Sequence, residues 1–244
     1  MAIINSVISG GGSAPTQFGV NLKGWCGDIN PNDGLIRTDQ AVGTLSMPQL
    51  TSVTDHLFYS KFNGSSGLTG TVDLSAVTGI DPYGMVDAFR DTSITGVDLR
   101  SLQYVGEAGM NGAFANTNIA TLELTANQLD GDGQFVSMCQ GCLLLKNVYI
   151  YLEVSNFLQY AEDYGFLPEE VFGVLYGGMI EQGPTNCVVH FYDDFVSGIL
   201  QWYDDQGETS PYSTTQGWAD YIAGFMDYDF STHGNTVVFD ISQI

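Results

Sequence analysis

Three cysteines and a histidine form the pattern in this sequence that comes closest to a metal site. Cys139 and Cys142 have a C-x-x-C spacing, and Cys187 and His190 follow with a C-x-x-H spacing. Three thiolates and an imidazole are ligands that zinc accepts. Cys187 and His190, however, lie three residues apart in a predicted strand, which directs their side chains to opposite faces. We therefore expect buried, reduced thiols, because four cysteines without an export signal do not favour disulfides.

Two acidic turns offer the oxygen ligands that calcium prefers. Asp28, Asn30 and Asn32 stand at alternating positions of the first turn, although the glycine expected in a calcium loop comes one residue late. Asp130 and Asp132 alternate with glycines in the second turn. Asp, Asn and Gly also favour ordinary turns. The sequence thus leaves calcium binding and simple turn formation open at both places.

No set of residues typical of a catalytic site occurs along the chain. Paired acids at 169–170, 193–194 and 204–205 are chain neighbours, whereas a glycosidase needs two carboxyl groups facing each other about 5–9.5 Å apart. A G-x-S-x-G elbow, a phosphate-binding loop and a dinucleotide-binding fingerprint are all missing. We expect a protein that is not an enzyme and needs no cofactor, with a carboxylate-dependent hydrolase as a distant alternative.

Aromatic residues crowd the acidic C-terminal part of the chain, and Trp202, Trp218 and Tyr221 are prominent among them. Aromatic faces beside carboxylates suit sugar stacking or a protein–protein hot spot. The same residues could instead form the core of a small domain, since Trp218 and Tyr221 follow a helical spacing. Both interpretations stay open.

The charge distribution excludes two classes of partner. The chain of 244 residues has a formal net charge of −22, and all six basic residues precede residue 147. Such a surface repels nucleic acid and anionic lipid. The charge can serve solubility alone, or it can form an acidic face that meets a basic partner or cations.

The elements that must position these residues follow a repeat of 25 residues. Two phases of the repeat carry apolar side chains: Leu74, Leu99 and Leu124 occupy the first, and Phe89, Phe114 and Cys139 the second. A fixed period of roughly 20–29 residues is typical of leucine-rich repeats. A single unit cannot bury its apolar edge, so the units must stack into a continuous array.

The repeat resembles the BspA type of leucine-rich repeat. The ladder pairs are Val72–Leu74, Val97–Leu99 and Leu122–Leu124; the Ala-Phe pairs are 88–89 and 113–114, replaced by Met138–Cys139; the small position holds Thr92, Thr117 and Cys142. A degenerate copy starts near Leu45, with Val53 and Phe62 in the Ile and Phe positions. The resemblance covers residues 44–152 and implies an α+β fold: a short leucine-rich-repeat β-solenoid of about four repeats with a C-terminal α+β cap.

Segments of different composition flank the array. Residues 18–43 are predicted to cap its N-terminal end, and residues 153–244 to form an acidic, aromatic α+β subdomain. Within that subdomain the patterns predict these elements: helices at 155–165, from 167 to the Gly-Pro at 183–184, at 195–203 and at 215–226, and strands at 187–192 and 236–241.

Residues 1–17 are predicted to form an arm. Its apolar residues, Ile3, Ile4, Val7 and Ile8, precede a Gly-rich hinge at 10–15, and such a strand can add to the sheet edge of a partner. The start resembles the short apolar strands with Gly-rich linkers found in tailed-phage virion proteins. A secretory signal and a membrane-spanning segment are not recognisable in the sequence.

These patterns predict a non-enzymatic virion structural or recognition protein of a phage, such as a capsid decoration, fibre or tail component. The arm would bind other virion proteins, the chain would form a homo-oligomer, and the repeats would meet a host-surface glycan or protein. The alternative is a bacterial cell-surface adhesin or glycan-binding module whose leader has been removed.

Overall fold

The computed structural model of the chain describes residues 21–23, 43–47, 50–226 and 233–242. In chain order the strands are β1 (Asn21–Lys23), β2 (Thr44–Ser46), β3 (Ser52–Val53), β4 (Thr69–Asp73), β5 (Gly79–Ile80), β6 (Ser93–Asp98), β7 (Tyr104–Val105), β8 (Thr121–Leu124), β9 (Gln128–Leu129), β10 (Asn147–Ile150), β11 (Val188–Tyr192) and β12 (Thr236–Ile241). The helices are α1 (Val154–Tyr164), α2 (Pro168–Tyr176), α3 (Phe195–Gln206) and α4 (Thr215–Met226).

The described strands form three sheets, with the orders β1-β2-β4-β6, β8-β10-β11-β12 and β3-β5-β7-β9. Every pairing is parallel except that of β1 with β2. None of the sheets closes into a barrel within the described ranges. The Asn118 N–H donates to Ile94 O at 3.0 Å, so the first two sheets adjoin and together form one long parallel face.

Strands of successive coils lie in register. Val72 pairs with Val97, and Leu122 pairs with Val148. Their side chains are fully buried in one continuous core, except that of Val97, which is partly buried. The rings of Phe62, Phe89 and Phe114 form a second column, with centroids 5.0 Å and 6.0 Å apart. The repeat of the sequence therefore corresponds to side chains that lie over one another.

In each 25-residue coil, a run of turns connects the short second strand, such as β5 or β7, to the first strand of the next coil, β6 or β8. Alternate N–H groups of this run donate to carbonyls of the following coil. The Tyr83, Met85, Asp87, Phe89 and Asp91 N–H groups donate to the carbonyls of Glu107, Gly109, Asn111, Ala113 and Ala115 at 2.8–2.9 Å. Intervening N–H groups close turns within the coil, as Gly84 does on Asp81 O at 2.9 Å. Few backbone donors of this run are left without a partner, which a buried backbone requires.

One backbone position in the turns before β4, β6, β8, β10 and β11 adopts a left-handed conformation. The residues at this position are Gly64, Asp91, Asn116, Gly141 and Gln182, with φ between 55° and 75°. The N–H of each of the first four donates to the carbonyl of the residue before the next member. Gly, Asn and Asp tolerate this conformation best. This left-handed column joins β11 to the same architecture, and Asn186 and Gly234 form a separate left-handed pair before β11 and β12, linked by the Asn186 N–H to His233 O at 2.9 Å.

Residues 147–226 and 233–242, here called the helix-built part, continue the sheet of the preceding turn-built part (residues 50–142). β10, β11 and β12 pair in parallel with each other and with β8, but helix pairs replace the turn runs between them. The sheet thus crosses the boundary expected at residue 152. The Phe225 and Met226 carbonyls at the end of α4 accept N–H groups of Gly178 and Ile180 at 2.8 Å and 3.2 Å.

Several element boundaries differ from those predicted. α4 and β12 are confirmed at the predicted residues. α1 begins at Val154 with Glu153 at its N-cap, whereas the predicted helix begins at residue 155. α2 ends at Tyr176, where Gly177 leaves the helical conformation, and turns replace the predicted helix up to the Gly-Pro at 183–184.

The arm at 1–17, its residues Ile3, Ile4, Val7 and Ile8, and most of the cap predicted at 18–43 lie outside the described residues. Among the described helices, none has the length and apolar character needed to cross a membrane.

Candidate functional site

The second of the two predicted calcium turns binds tyrosine hydroxyls. The Tyr164 hydroxyl donates to the Asp130 carboxylate, and the Tyr160 hydroxyl lies 3.2 Å from Asp132 Oδ1 and donates to Gly131 O at 2.5 Å. Burial and the nearby Asp132 carboxylate raise the pKa of Tyr160. Asp130 and Asp132 therefore fasten α1 to the turn-built part, and calcium binding at this turn stays a prediction.

The first calcium turn, with Asp28, Asn30 and Asn32, lies outside the described residues. In the part of the chain that the structure describes, no group of three or more His, Cys, Asp or Glu side chains is arranged to hold a metal ion.

The three cysteines in the described residues lie in the core. Cys139, Cys142 and Cys187 are buried free thiols, and burial raises the pKa of Cys187 to about 12. A hydrogen bond to Cys142 and complete burial raise the pKa of Cys139. The prediction of opposite faces is confirmed, because Cys187 faces the core while His190 binds Asp240 across the other face.

The C-terminal aromatic residues do not form an exposed binding surface. Trp218 is fully buried and packs on Phe172 and Tyr212. The interpretation of Trp218 as a partner-binding residue is therefore wrong, because its helical spacing directs it to the core. Tyr221 is half-buried with its ring on Phe225. Trp202 is also half-buried, and its indole N–H donates to Glu162 at 3.1 Å.

Three of the paired acids bind structural partners. Glu170 accepts the Leu167 N–H at 2.9 Å at the start of α2, and Glu169 accepts the Tyr203 hydroxyl and so joins α2 to α3. Asp205 accepts the side-chain amide of Gln201 at 2.8 Å within α3. None of these three contacts brings two carboxylates across a cleft.

Four rings gather on the open face of the sheet in the helix-built part: Tyr149, Tyr151, His190 and Tyr192. Side chains alternate along a strand, so Val148, Ile150, Val189 and Phe191 are buried beneath the helices while these four are half-buried on the opposite face. We call this set the tyrosine–histidine surface.

The rings of the tyrosine–histidine surface hold one another in place. The His190 ring stacks on Tyr149 with centroids 4.4 Å apart and planes 14° apart. The ring centroid of Tyr151 lies 6.4 Å from that of Tyr149 and 6.1 Å from that of Tyr192. His190 Nδ1 is 2.8 Å from Asp240 Oδ1 on the neighbouring strand, and Nε2 is 3.4 Å from Asn147 Oδ1. The parallel register of β10, β11 and β12 sets these distances.

Carboxylates surround the rings. Burial and the nearby Glu123 raise the pKa of Tyr151, and burial with the nearby Glu153 raises the pKa of Tyr192. Together with Asp240 these acids give the face a negative potential, which repels anions. A rigid aromatic plane flanked by acceptors can stack on the apolar face of a sugar or hold a cationic side chain.

Sequence reasoning missed this surface because its residues come from two strands about 40 positions apart. A signal was present in the alternation of Tyr149 with Tyr151 and of His190 with Tyr192, and the second pair lies in the strand predicted at 187–192. Only the register between the strands brings the two pairs together.

Comparison with models of protein families, with curated proteins and with solved structures found no match for this chain.

Proposed function

We propose that this chain is a non-enzymatic structural and recognition protein of a phage virion, built on a BspA-type leucine-rich-repeat array. The observation that carries the recognition role is the tyrosine–histidine surface. Four mutually packed rings lie on an open sheet face, and preordered aromatic side chains bind a partner at little cost in conformational entropy.

The repeat array supports the proposal through its shape. Parallel strands in register and the stacked phenylalanines give a stiff body, as successive coils of a solenoid do. A stiff body presents its open face at a fixed distance from the point of attachment, which suits a decoration, fibre or tail component.

The attachment role rests on the sequence of the arm. Deleting residues 1–17 should leave the body folded, because a continuous buried core runs from Leu45 to Val237, and should abolish incorporation into particles. Thermal unfolding checks the fold and particle purification checks incorporation. Normal incorporation of the shortened chain would refute attachment through the arm.

A second candidate function is a host-surface adhesin or glycan-binding module. The acids beside the aromatic rings favour it, because aromatic faces with neighbouring acceptors are typical of sugar sites. In either setting the tyrosine–histidine surface would bind a neutral or cationic ligand, since Glu123, Glu153 and Asp240 lie around it.

A glycan array with a single-site control tests recognition. Tyr149→Ala removes the ring that stacks on His190, so we expect bound glycans to be lost by tenfold or more. Tyr59→Ala removes an exposed tyrosine of the turn-built part and should leave binding unchanged. Glycan binding that Tyr149→Ala leaves intact would refute this surface as the site, and absence of any glycan binding would favour a protein partner.

A further inference from the structure

The sheet ends in an incompletely covered strand. Val148 in β10 and Val189 in β11 are 0% exposed, whereas the equivalent Val237 in β12 is 8% exposed. Phe239 is only partly buried, although its partner Phe191 is fully buried. Leu45 in β2, which β1 covers, is 0% exposed. Among the described residues the core is therefore slightly more exposed at β12 than beneath the paired strands.

Among the described strands, β12 pairs on one side only. β12 is the last strand of its sheet, and no strand in the described ranges lies beyond it. The Thr236 N–H donates to Cys187 O at 2.9 Å, so the backbone N–H and C=O of Thr236 face β11. The N–H and C=O groups of the next residue in a paired strand face the opposite side. Those of Val237 therefore lie on the edge away from β11. Such an edge is a template for another strand.

The apolar segment at 3–8 has the properties of a strand that could cover this edge. It is as long as β12, which has six residues, and Ile3, Ile4, Val7 and Ile8 supply branched apolar side chains suited to strands. The first 22 residues carry no charged side chain. The segment can therefore approach a body of net charge −22 without electrostatic repulsion.

The position of the arm favours a second copy as the acceptor. The arm precedes β1, which lies at the end of the array opposite β12, and strand spacing of about 4.8 Å separates those ends by roughly 30–35 Å. When two copies stack end to end, the β1 end of one copy meets the β12 end of the other. The hinge then has to span only a short distance.

We propose that residues 3–8 of one copy add as a strand to the β12 edge of a second copy, so that the chain assembles head to tail. This inference rests on the arm of the proposed function and names its acceptor. Because the two surfaces differ, the contact is heterologous and generates either a ring or a filament.

Two full-length variants with complementary defects test the proposal. Ile4→Asp with Val7→Asp places charge in the arm and leaves the β12 edge intact. Val237→Pro removes an N–H on the free edge, a position where strands tolerate proline, and leaves the arm intact. Light scattering after size exclusion should show the unchanged chain as an assembly of two or more copies, and each variant alone as a monomer.

An equimolar mixture of the two variants should form a heterodimer and nothing larger, because only one intact arm and one intact edge remain. Thermal unfolding of each variant checks that it is folded, and formation of the heterodimer shows it independently. A monomeric unchanged chain, a variant that still assembles alone, or a mixture without heterodimer would each overturn the proposal. Deleting residues 1–17 could abolish particle incorporation while the purified unchanged chain is a monomer. That result would mean that the arm binds another virion protein, and it would refute only the second copy as its acceptor.

Discussion

The turn-built and helix-built parts share one parallel sheet but return to it by different paths. Val72 and Val97 pair at a spacing of 25 residues, whereas Val148 pairs with Val189 and Val189 with Val237 at spacings of 41 and 48. The strands stay the same, and the left-handed position in the turns before them is kept from Gly64 to Gln182. The difference shows that the strands and the column of inward side chains define a coil, whereas the return path can be turns or helices.

Function follows the same division. The turn-built part presents mostly short polar side chains on its sheet face, such as Thr71, Asp73 and Asp98. The helix-built part presents the tyrosine–histidine surface on the same face. The shared sheet fixes the direction of these side chains. Beneath it, Phe172 of α2 and Phe195 of α3 pack on Phe191 of β11 and fill a wider core.

The largest predicted effect comes from Phe89→Ala. Phe89 is fully buried between Phe62 and Phe114, so its loss should lower the free energy of unfolding by about 3–5 kcal/mol. In a Trp25→Phe background, the fluorescence of Trp202 and Trp218 reports on the helix-built part in urea titrations. If the two parts form one cooperative unit, this signal shifts with the loss in the turn-built part.

Tyr59→Ala is the control for Phe89→Ala, because Tyr59 is 45% exposed and should change stability by no more than about 0.5 kcal/mol. A tryptophan signal that Phe89→Ala leaves unmoved would mean that the two parts unfold separately, and the comparison would then be between two domains.

Gly141→Ala probes the left-handed column where the two parts meet. Gly141 has φ 73°, and a Cβ there would lie 2.0 Å from Asn116 Oδ1. We expect a loss of about 2–3 kcal/mol, which combines backbone strain with displacement of Asn116. Gly165→Ala is a matched control, since Gly165 has φ 71° with no atom within 4 Å and should cost only about 1 kcal/mol. Equal losses in urea titrations would argue against an effect of the column itself.

Tyr160→Phe probes the fastening between α1 and the turn-built part. The Tyr160 hydroxyl donates to Gly131 O at 2.5 Å, and its removal should cost about 1–2 kcal/mol. Tyr164→Phe removes the second fastening hydroxyl, which bonds to Asp130, and should cost less because Tyr164 is 41% exposed and water can replace this bond. A smaller loss for Tyr160→Phe than for Tyr164→Phe in thermal unfolding would contradict this role.

Much of the local structure could be predicted from the sequence, because it depends on short-range patterns. The 25-residue spacing located the inward columns of the turn-built part, and helical spacing gave α4 at the residues observed. The continuation of the sheet through β11 and β12 could not be predicted, since the spacing changes there. Gln182 holds the left-handed position before β11, but it differs from the Gly, Asn and Asp of the other coils, so the sequence did not mark it.

The candidate site was harder to predict than the fold. Trp218 and Tyr149 are both aromatic residues near carboxylates, yet one is buried and the other lies on the open face. Hydrophobic spacing separates the faces of one element, but it does not show which faces of neighbouring elements meet. That information depends on register, which is set by contacts between residues far apart in the chain.

The smallest predicted effect concerns pH and acts on the sheet of the turn-built part. Hydrogen bonds from Ser75 and Ser46 to the Asp73 carboxylate, at 2.6 Å and 2.8 Å, lower the pKa of Asp73. A carboxyl group whose pKa is lower in the folded than in the unfolded state stabilises the fold above the unfolded value of about 3.9. This contribution is lost as the pH falls through the folded pKa.

Asp73→Asn should therefore reduce stability at pH 7 and flatten its decline between about pH 4 and pH 2, because the variant has no proton to bind there. Asp163→Asn is the matched control, since the Asp163 carboxylate accepts a surface hydrogen bond from Gln159 within α1 at 2.8 Å. Urea midpoints measured across this pH range compare the two variants. An equal flattening by both would show that general charge repulsion dominates, whereas an effect confined to Asp73→Asn ties acid sensitivity to the contact between β2 and β4.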